Sequence, residues 1–216
     1  GLAPGRRAAR LLTGDLRRLP GAPVSARGVR LAEDGARLVD CPHSPWPQRA
    51  RETVRLGKTL IAPDFSISAP PGANAVRARV IGVVENQAPT RALSFELPVT
   101  EGRGQATGGV CQIALVARHR ATGGVTNGFV SGFGYQGSMA IASTVAHDSH
   151  HMIVVGTDRA MMAAAANRLG EVGGGVTVWK DGAEIALVEL PIAGLMSDRP
   201  AHEVAETAQA MVDAMA

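Results

Sequence analysis

Hydrophobic positions along this chain recur with two periods, and the switch between them marks its elements. Val76, Ala78, Val80, Gly82 and Val84 alternate with Arg77, Arg79, Ile81 and Val83. Alternation sends successive side chains to opposite faces of a strand. The arginines mark a half-exposed end, and the Ile81–Val84 run predicts an end buried on both faces. Residues 93–99, 111–117, 140–145 and 152–155 are further apolar runs of strand length. After Asp158 the period lengthens. Met161, Ala165 and Leu169 recur at i, i+4 and i+8, and Met162 widens the stripe, so a helix is predicted. Asp158 suits its N-cap, because a carboxylate accepts the free amides of the first turn. Gly173-Gly174-Gly175 ends the helix. Residues 176–179 and 184–190 then predict a hairpin across Lys180-Asp181-Gly182. Val204, Ala208, Met211 and Met215 give the apolar face of a last helix, with Ser197 or Asp198 as its cap and Pro200 in its first turn.

The front of the chain reads differently. Residues 24–31 and 36–39 flank Glu33-Asp34-Gly35, which predicts a small β-hairpin. Residues 41–47 read CPHSPWP, and so many prolines break any regular element. We therefore expect two regions, 1–47 and 48–216. No internal repeat or low-complexity segment is present.

Bulk properties narrow the class. The chain has 216 residues, 45% of them hydrophobic and 19% charged, an ordinary globular balance. Gly is abundant, at 26 residues, and aromatics are scarce, at 3%, which favours tight turns and aliphatic packing. Arginines crowd residues 1–55, but Trp46 is the single aromatic residue among them, so a nucleic-acid partner is not expected. Cys41 and Cys111 are too far apart in sequence for a zinc-type pair and read as thiols in a reducing compartment. Residues 1–19 are Arg-rich without an apolar centre, and no apolar run reaches the ~20 residues of a membrane span. A cytoplasmic location without membrane contact is expected. The opening Gly-Leu-Ala-Pro, lacking Met, reads as the continuation of something upstream.

Chemistry concentrates in two places. His147-Asp148-Ser149-His150-His151 is the densest polar cluster and lies between two apolar runs that would pin it at a sheet end. Imidazole and carboxylate together can bind metal, shuttle protons or grip a heterocycle. The bland alternative is a polar turn bonded to its own backbone. Arg118-His119-Arg120, followed by Thr122-Gly123-Gly124, can approach an anion or a carbonyl-bearing ligand, or simply be a solvated strand end. Leu195-Met196-Ser197-Asp198 reads as a helix start. There is no phosphate loop, no H-x-E with P-C-x-x-C and no Gly-x-Ser-x-Gly elbow. The chain offers no complete catalytic apparatus by itself.

Longer motifs carry a resemblance. Residues 142–150 (ASTVAHDSH), followed by Ile153-Val154-Val155-Gly156, resemble the signature near the C-terminus of bacterial adenine deaminases of the amidohydrolase superfamily. Asn167-Arg168-Leu169, Gly173-Gly174-Gly175 and residues 190–198 (LPIAGLMSD) continue it. Arg118-His119, Thr122-Gly123, Gly128-Phe129-Val130 and Gly132-Phe133-Gly134 match the block upstream. Residues 2–8 (LAPGRRA) resemble the segment that follows the barrel in many amidohydrolases. His151 stands where the family usually has Asn, Arg120 where a second His is common, Ala117 where an acid is common, and Ala9 where Asp is usual.

The resemblance implies an α/β (α+β) fold. Residues 1–47 would be a remnant of the small amidohydrolase β-sandwich with a Pro-rich linker. Residues 48–216 would be the C-terminal sheet-and-helix domain, with no (β/α)8 barrel in this chain. It implies an enzyme that converts adenine and water to hypoxanthine and ammonia. A divalent metal, manganese or iron, would sit in the barrel upstream, with no ligands here. His147, Asp148 and His150 would be the catalytic candidates, and Arg118, His119 and Ser149 the substrate-binding ones. The partners implied are a barrel domain or subunit, further copies in a homo-oligomer, and a purine. The chain alone would lack catalysis. Two other readings stand beside this one: a non-catalytic binding or oligomerisation module that keeps the fold, and an independent metallohydrolase using His119, His147, Asp148 and His150.

Overall fold

The computed structural model describes residues 4–5, 9–15, 17, 22–40, 44–135 and 137–215. Two compact units appear, Gly1–Pro45 and Trp46–Ala216. In the first, β1 (Ala9–Leu11), β2 (Val24–Ala26), β3 (Val29–Glu33) and β4 (Ala36–Arg37) pair in chain order as an antiparallel sheet. The stretch expected as one strand, 24–31, is split between β2 and β3. Arg27 and Gly28 both take positive φ, 53° and 81°, which closes a tight hairpin turn there. Asp34-Gly35 does the same between β3 and β4, as expected. Cys41 lies outside the described residues.

The second unit begins with 3-10 turns at Gln48–Ala50 and Ala62–Phe65. Its strands are β5 (Ala75–Gly82), β6 (Arg91–Thr100), β7 (Arg103–Gly104), β8 (Val110–Val116), β9 (Val125–Ser131), β10 (Met139–Ser143) and β11 (Met152–Gly156). Then come α1 (Arg159–Val172), β12 (Gly175–Lys180), β13 (Ala183–Glu189) and α2 (Ala201–Met215). Among the described residues, nine strands form one sheet in the order β13-β12-β10-β11-β8-β9-β5-β6-β7. Every named pairing is antiparallel except β5 with β9. The unit is therefore an α+β domain, mostly sheet with two helices and no closed barrel.

β9 is a strand that periodicity did not disclose. Gly128 interrupts its apolar pattern, yet Gly128 pairs with Ile113 of β8 in the middle of the ladder. The other expected strands and the 180–182 turn are present, with Asp181 and Gly182 at positive φ.

One face of the sheet is closed by α1. Met162, Ala165, Ala166 and Leu169 pack with Ala114, Val116, Ala140, Ala142, Met152 and Val154, and with Leu60 and Phe65. The Asp158 carboxylate caps α1 by accepting from the amides of Ala160 and Met161, and Gly173 ends it in the left-handed region at φ 82°. α2 packs on β13, with Met211 buried and Val204 half-buried. Ala208 and Met215, expected on its apolar face, are exposed. Its start also differs from expectation. Ser197 Oγ accepts from the Arg199 amide, and Asp198 forms an ion pair with Arg51 at 2.8 Å, so neither caps Ala201. The far end of β5, expected to be buried on both faces, leaves Ile81 44% and Val83 39% exposed.

Candidate functional site

The segments singled out in the sequence meet at one end of the sheet. Register puts Val116, Val125, Met152, Ser143 and Val176 at that end. The connections leaving there are 117–124, 144–151 and 173–174, and residues 190–198 follow β13 at the same end.

Two buried polar side chains tie these connections together. Arg118 is 1% exposed. Its Nε donates to His150 O at 2.5 Å, its Nη2 to Ala193 O at 3.1 Å, and its Nη1 weakly to Thr53 O and Oγ1, both at 3.4 Å. Burial pushes this guanidinium below its usual pKa. The sequence reading places Arg118 among ligand-facing groups, but within this chain its donors are spent on the backbone of three other segments. Gly194 is required beside it, since a Cβ there would lie 2.8 Å from Arg118 Nη1. Thr144, 0% exposed, donates to Gly194 O at 2.6 Å and accepts from the Gly175 amide at 2.8 Å. Arg118 and Thr144 thus hold the 144–151 loop, the glycine run and the 190–198 segment as one piece.

On this frame the 147–150 loop is a single α-turn. The His150 amide donates to Ala146 O at 2.6 Å, and His150 itself sits at φ 47°. A non-Gly residue held there is strained, a state that persists only where its surroundings enforce it. The Arg118 bond to His150 O supplies that enforcement. His147, Asp148 and Ser149 are exposed, while His150 and His151 are half-buried. The His147 and His150 rings lie 5.9 Å apart between centroids. His119, exposed at the end of β8, stacks obliquely on His151 at 4.7 Å.

His119 Nε2 is 3.1 Å from Ser149 O. A carbonyl only accepts, so this bond requires the proton on Nε2 and leaves Nδ1 of a neutral His119 as an acceptor. Burial, then His119, then Arg118 hold His151 below the usual imidazole pKa, which favours its neutral form. Nδ1 of His150 and Nδ1 of His151 are buried with no hydrogen-bond partner among the described residues. His151 enters the sequence reading as the last member of the polar cluster and as a departure from the family pattern, but not among the site residues. Its backbone adjacency to His150 was visible, but the fold that sets it against His119 was not.

The structure therefore brings His119, His147, Ser149, His150 and His151 together, with Asp148 on the exposed tip of the turn. Among the described residues, no group of three or more His, Cys, Asp or Glu side chains could hold a metal ion. His119, His147, Asp148 and His150 make no such group.

Comparison with known proteins decides the lineage. Residues 87–216 match the family described as adenine deaminase C-terminal domain. The chain belongs to this family. It is 72% identical over 214 residues to the adenine deaminase of Roseobacter denitrificans, covering 99% of this chain and 36% of that protein. The adenine deaminase of Ruegeria pomeroyi is 71% identical over 217 residues, again 99% of this chain and 36% of that protein. A more distant relative, the adenine deaminase of Moorella thermoacetica, is 44% identical over 208 residues, 94% of this chain and 34% of that protein. The chain thus spans just over a third of the length of the curated relatives it matches. No helix of the described residues is long and apolar enough to cross a membrane.

Proposed function

We propose that this chain is the C-terminal portion of an adenine deaminase, a cytoplasmic hydrolase that converts adenine and water to hypoxanthine and ammonia. What carries the reading is the match of almost the whole chain to proteins bearing that name. The reaction breaks the C6–N bond of the purine and forms a C6–O bond, and the leaving amine must gain a proton to depart as ammonia. Manganese or iron, whose ligands the resemblance puts in a barrel outside this chain, would supply the activation of the water. Gly1–Pro45 would contribute strands to a sandwich completed elsewhere in the polypeptide, and the whole enzyme would be a homo-oligomer.

The part assigned to this chain is the 147–150 loop at the mouth of the purine site. His147, Asp148 and His150 would hold or pass protons there, and His119 and Ser149 would face the purine. Arg118 acts as a positioning residue in this scheme, fixing the loop from beneath. Supporting it, the turn is tied down by the His150 amide bond to Ala146 O and the Arg118 bond to His150 O, while His147 and Asp148 stand exposed on its tip. An imidazole offers ring nitrogens that can donate or accept, the pattern that purine nitrogens and an amino group complement.

The test has two steps. Pure chain supplied with Mn2+ or Fe2+ is expected to release no ammonia from adenine, and steady release would refute the assignment of catalysis to the rest of the enzyme. In the Roseobacter denitrificans enzyme, Asp148→Asn and His150→Ala at the aligned positions are expected to lower kcat by about 10²-fold or more, with melting temperature little changed. Normal kcat with a lowered melting temperature would make the loop structural, as the binding-module reading has it.

A further inference from the structure

The sheet has two faces. On the one away from α1, Cys111, Val130 and Val155 form a buried cluster with Tyr135 and Ile141, but among the described residues the part beside it, toward the end where β8 meets β9 and β11, is left open. Cross-strand partners share a face. Leu115 pairs with Ile153 and with Thr126, Ile113 pairs with Gly128, and Ile81 pairs with Val130. These residues point away from α1, whose packing partners are Ala114, Val116 and Val154. Around them lies a shallow depression of about 250 Å³ with Gly128 in its floor. Leu115 is 39% and Ile81 44% exposed.

The boundary of the patch is written into β5. Its outward positions run Arg77, Arg79, Ile81, so they change from charged to aliphatic within one strand. The sequence pattern of that end predicts burial on both faces, which this chain does not supply. The patch also borders the functional end of the sheet: Leu115 lies three residues before Arg118, and Ile153 two residues after His151.

We propose that this open face, centred on Ile81, Ile113, Leu115, Gly128 and Ile153, is the docking surface for the remainder of the adenine deaminase polypeptide, which meets it with an apolar, uncharged surface. The proposal rests on the reading of the chain as the C-terminal part of that enzyme. In the relatives this chain is 36% of the length, so nearly two-thirds of the polypeptide is available to cover the face. An occupant seated there also meets the rim beside the 147–151 loop, so one contact both buries the patch and brings the loop to a partner surface.

The experiment mixes the 216-residue chain with the N-terminal two-thirds of the Roseobacter denitrificans enzyme and measures association by sedimentation velocity. The unaltered chain is expected to form a one-to-one complex. Ile81→Glu with Leu115→Glu is expected to weaken it about a hundredfold, and the gentler Ile81→Thr with Leu115→Thr, which keeps strand-forming side chains, about tenfold. Arg77→Glu, outside the patch, should bind as the unaltered chain does. Circular dichroism melting separates loss of binding from loss of fold, and the Thr pair decides if the Glu pair does not fold. Absence of a complex with the unaltered chain overturns the proposal. So does binding by the Thr or Glu pair within twofold of the unaltered chain. A dimer of the chain alone that the Glu pair dissolves, with association to the N-terminal part unaffected, assigns the face to a second copy and also overturns it. Ammonia release by the mixture reports separately: a complex that forms through this face but does not deaminate adenine refutes the proposed activity and leaves the surface standing.

Discussion

Arg118 offers the sharpest test of how the site is held. It is a cation at 1% exposure whose hydrogen bonds go to carbonyls and one hydroxyl. Two of them, to His150 O and Ala193 O, have good length. Hydrogen bonds involving a charged group contribute about 1.5–3 kcal/mol each, so their loss costs roughly 3–6 kcal/mol. Against this stands the penalty of keeping a guanidinium out of water without a carboxylate, which is several kcal/mol and disappears with the charge. Arg118→Met, which nearly conserves volume, should therefore cost about 2 kcal/mol net. Arg118→Lys keeps the buried charge but cannot reach Thr53, His150 and Ala193 with one compact ammonium, so it should cost as much or more. Urea unfolding of each variant, followed by circular dichroism with the slope held to its wild-type value, measures both. A Lys variant within about 0.5 kcal/mol of the native chain would refute the argument, because surface-like tolerance is what an exposed, ligand-facing arginine would show.

The neighbouring groups make further expectations. Thr144→Val removes the donor to Gly194 O and the acceptor of the Gly175 amide at constant shape. It should cost about 2–4 kcal/mol in urea unfolding, while Thr144→Ser should cost about 1. Equal losses would mean that the methyl, not the hydroxyl, matters. Gly175→Ala would place a Cβ 2.1 Å from Val188 O at φ 147°, and the variant should fail to accumulate as folded protein; a native-like melting curve would contradict this. On acidification, two carboxyls matter. Asp64 is held below its ordinary value of 3.8 by the Lys58 hydrogen bond and the Ile61 amide. Burial raises Asp158, but the Met161 amide, Ser138 hydroxyl and Ala160 amide outweigh it and hold it below 3.8 too. Lowered folded values mean that the stabilisation is complete above the unfolded pKa and is lost as pH falls through the folded one. His151, held below 6.5, adds an earlier loss as pH drops past 6.5, because the unfolded chain then takes up the proton more readily. Melting temperature should fall from pH 7 to 5, less so in His151→Asn, and fall again below pH 4; a flat profile from 7 to 3 would refute both assignments.

What was legible in the sequence was local. Asp158 as a cap, the Asp181-Gly182 turn and the helical stripe of Met161, Ala165 and Leu169 each follow from a few consecutive residues, and each is present. What failed depended on distant partners. Gly128 reads as a breaker, yet it is a ladder position whose missing Cβ lies over the open face. Ser197 and Asp198 have the right chemistry for a cap, but Asp198 is drawn to Arg51, far away in sequence. The Val24–Leu31 region hides a turn because Arg27 is not a residue type that announces positive φ.

The site divides along the same line, and the division has a physical cause. Clustering of His147, Asp148, Ser149 and His150 was visible because a short loop brings its own residues together without help from the fold. The function of Arg118 was not, because its sequence neighbours His119 and Arg120 are both exposed and suggest the same for it. The inward parity of β8 runs on past its end, from Ala114 and Val116 to Arg118. It takes Arg118 inward, where its five N–H groups can answer carbonyls from residues 53, 150 and 193. A lysine at this position would have been a poor choice, since an ammonium lacks the planar spread to join three segments. The exposed tip and the buried pin therefore need each other. The α-turn that projects His147 and Asp148 ends in a strained His150, and the cation beneath that residue stabilises it without occupying the side chains above. Side chains free to meet a ligand and a backbone unable to move away from it are properties of one arrangement, and Arg118 is the residue through which they are joined.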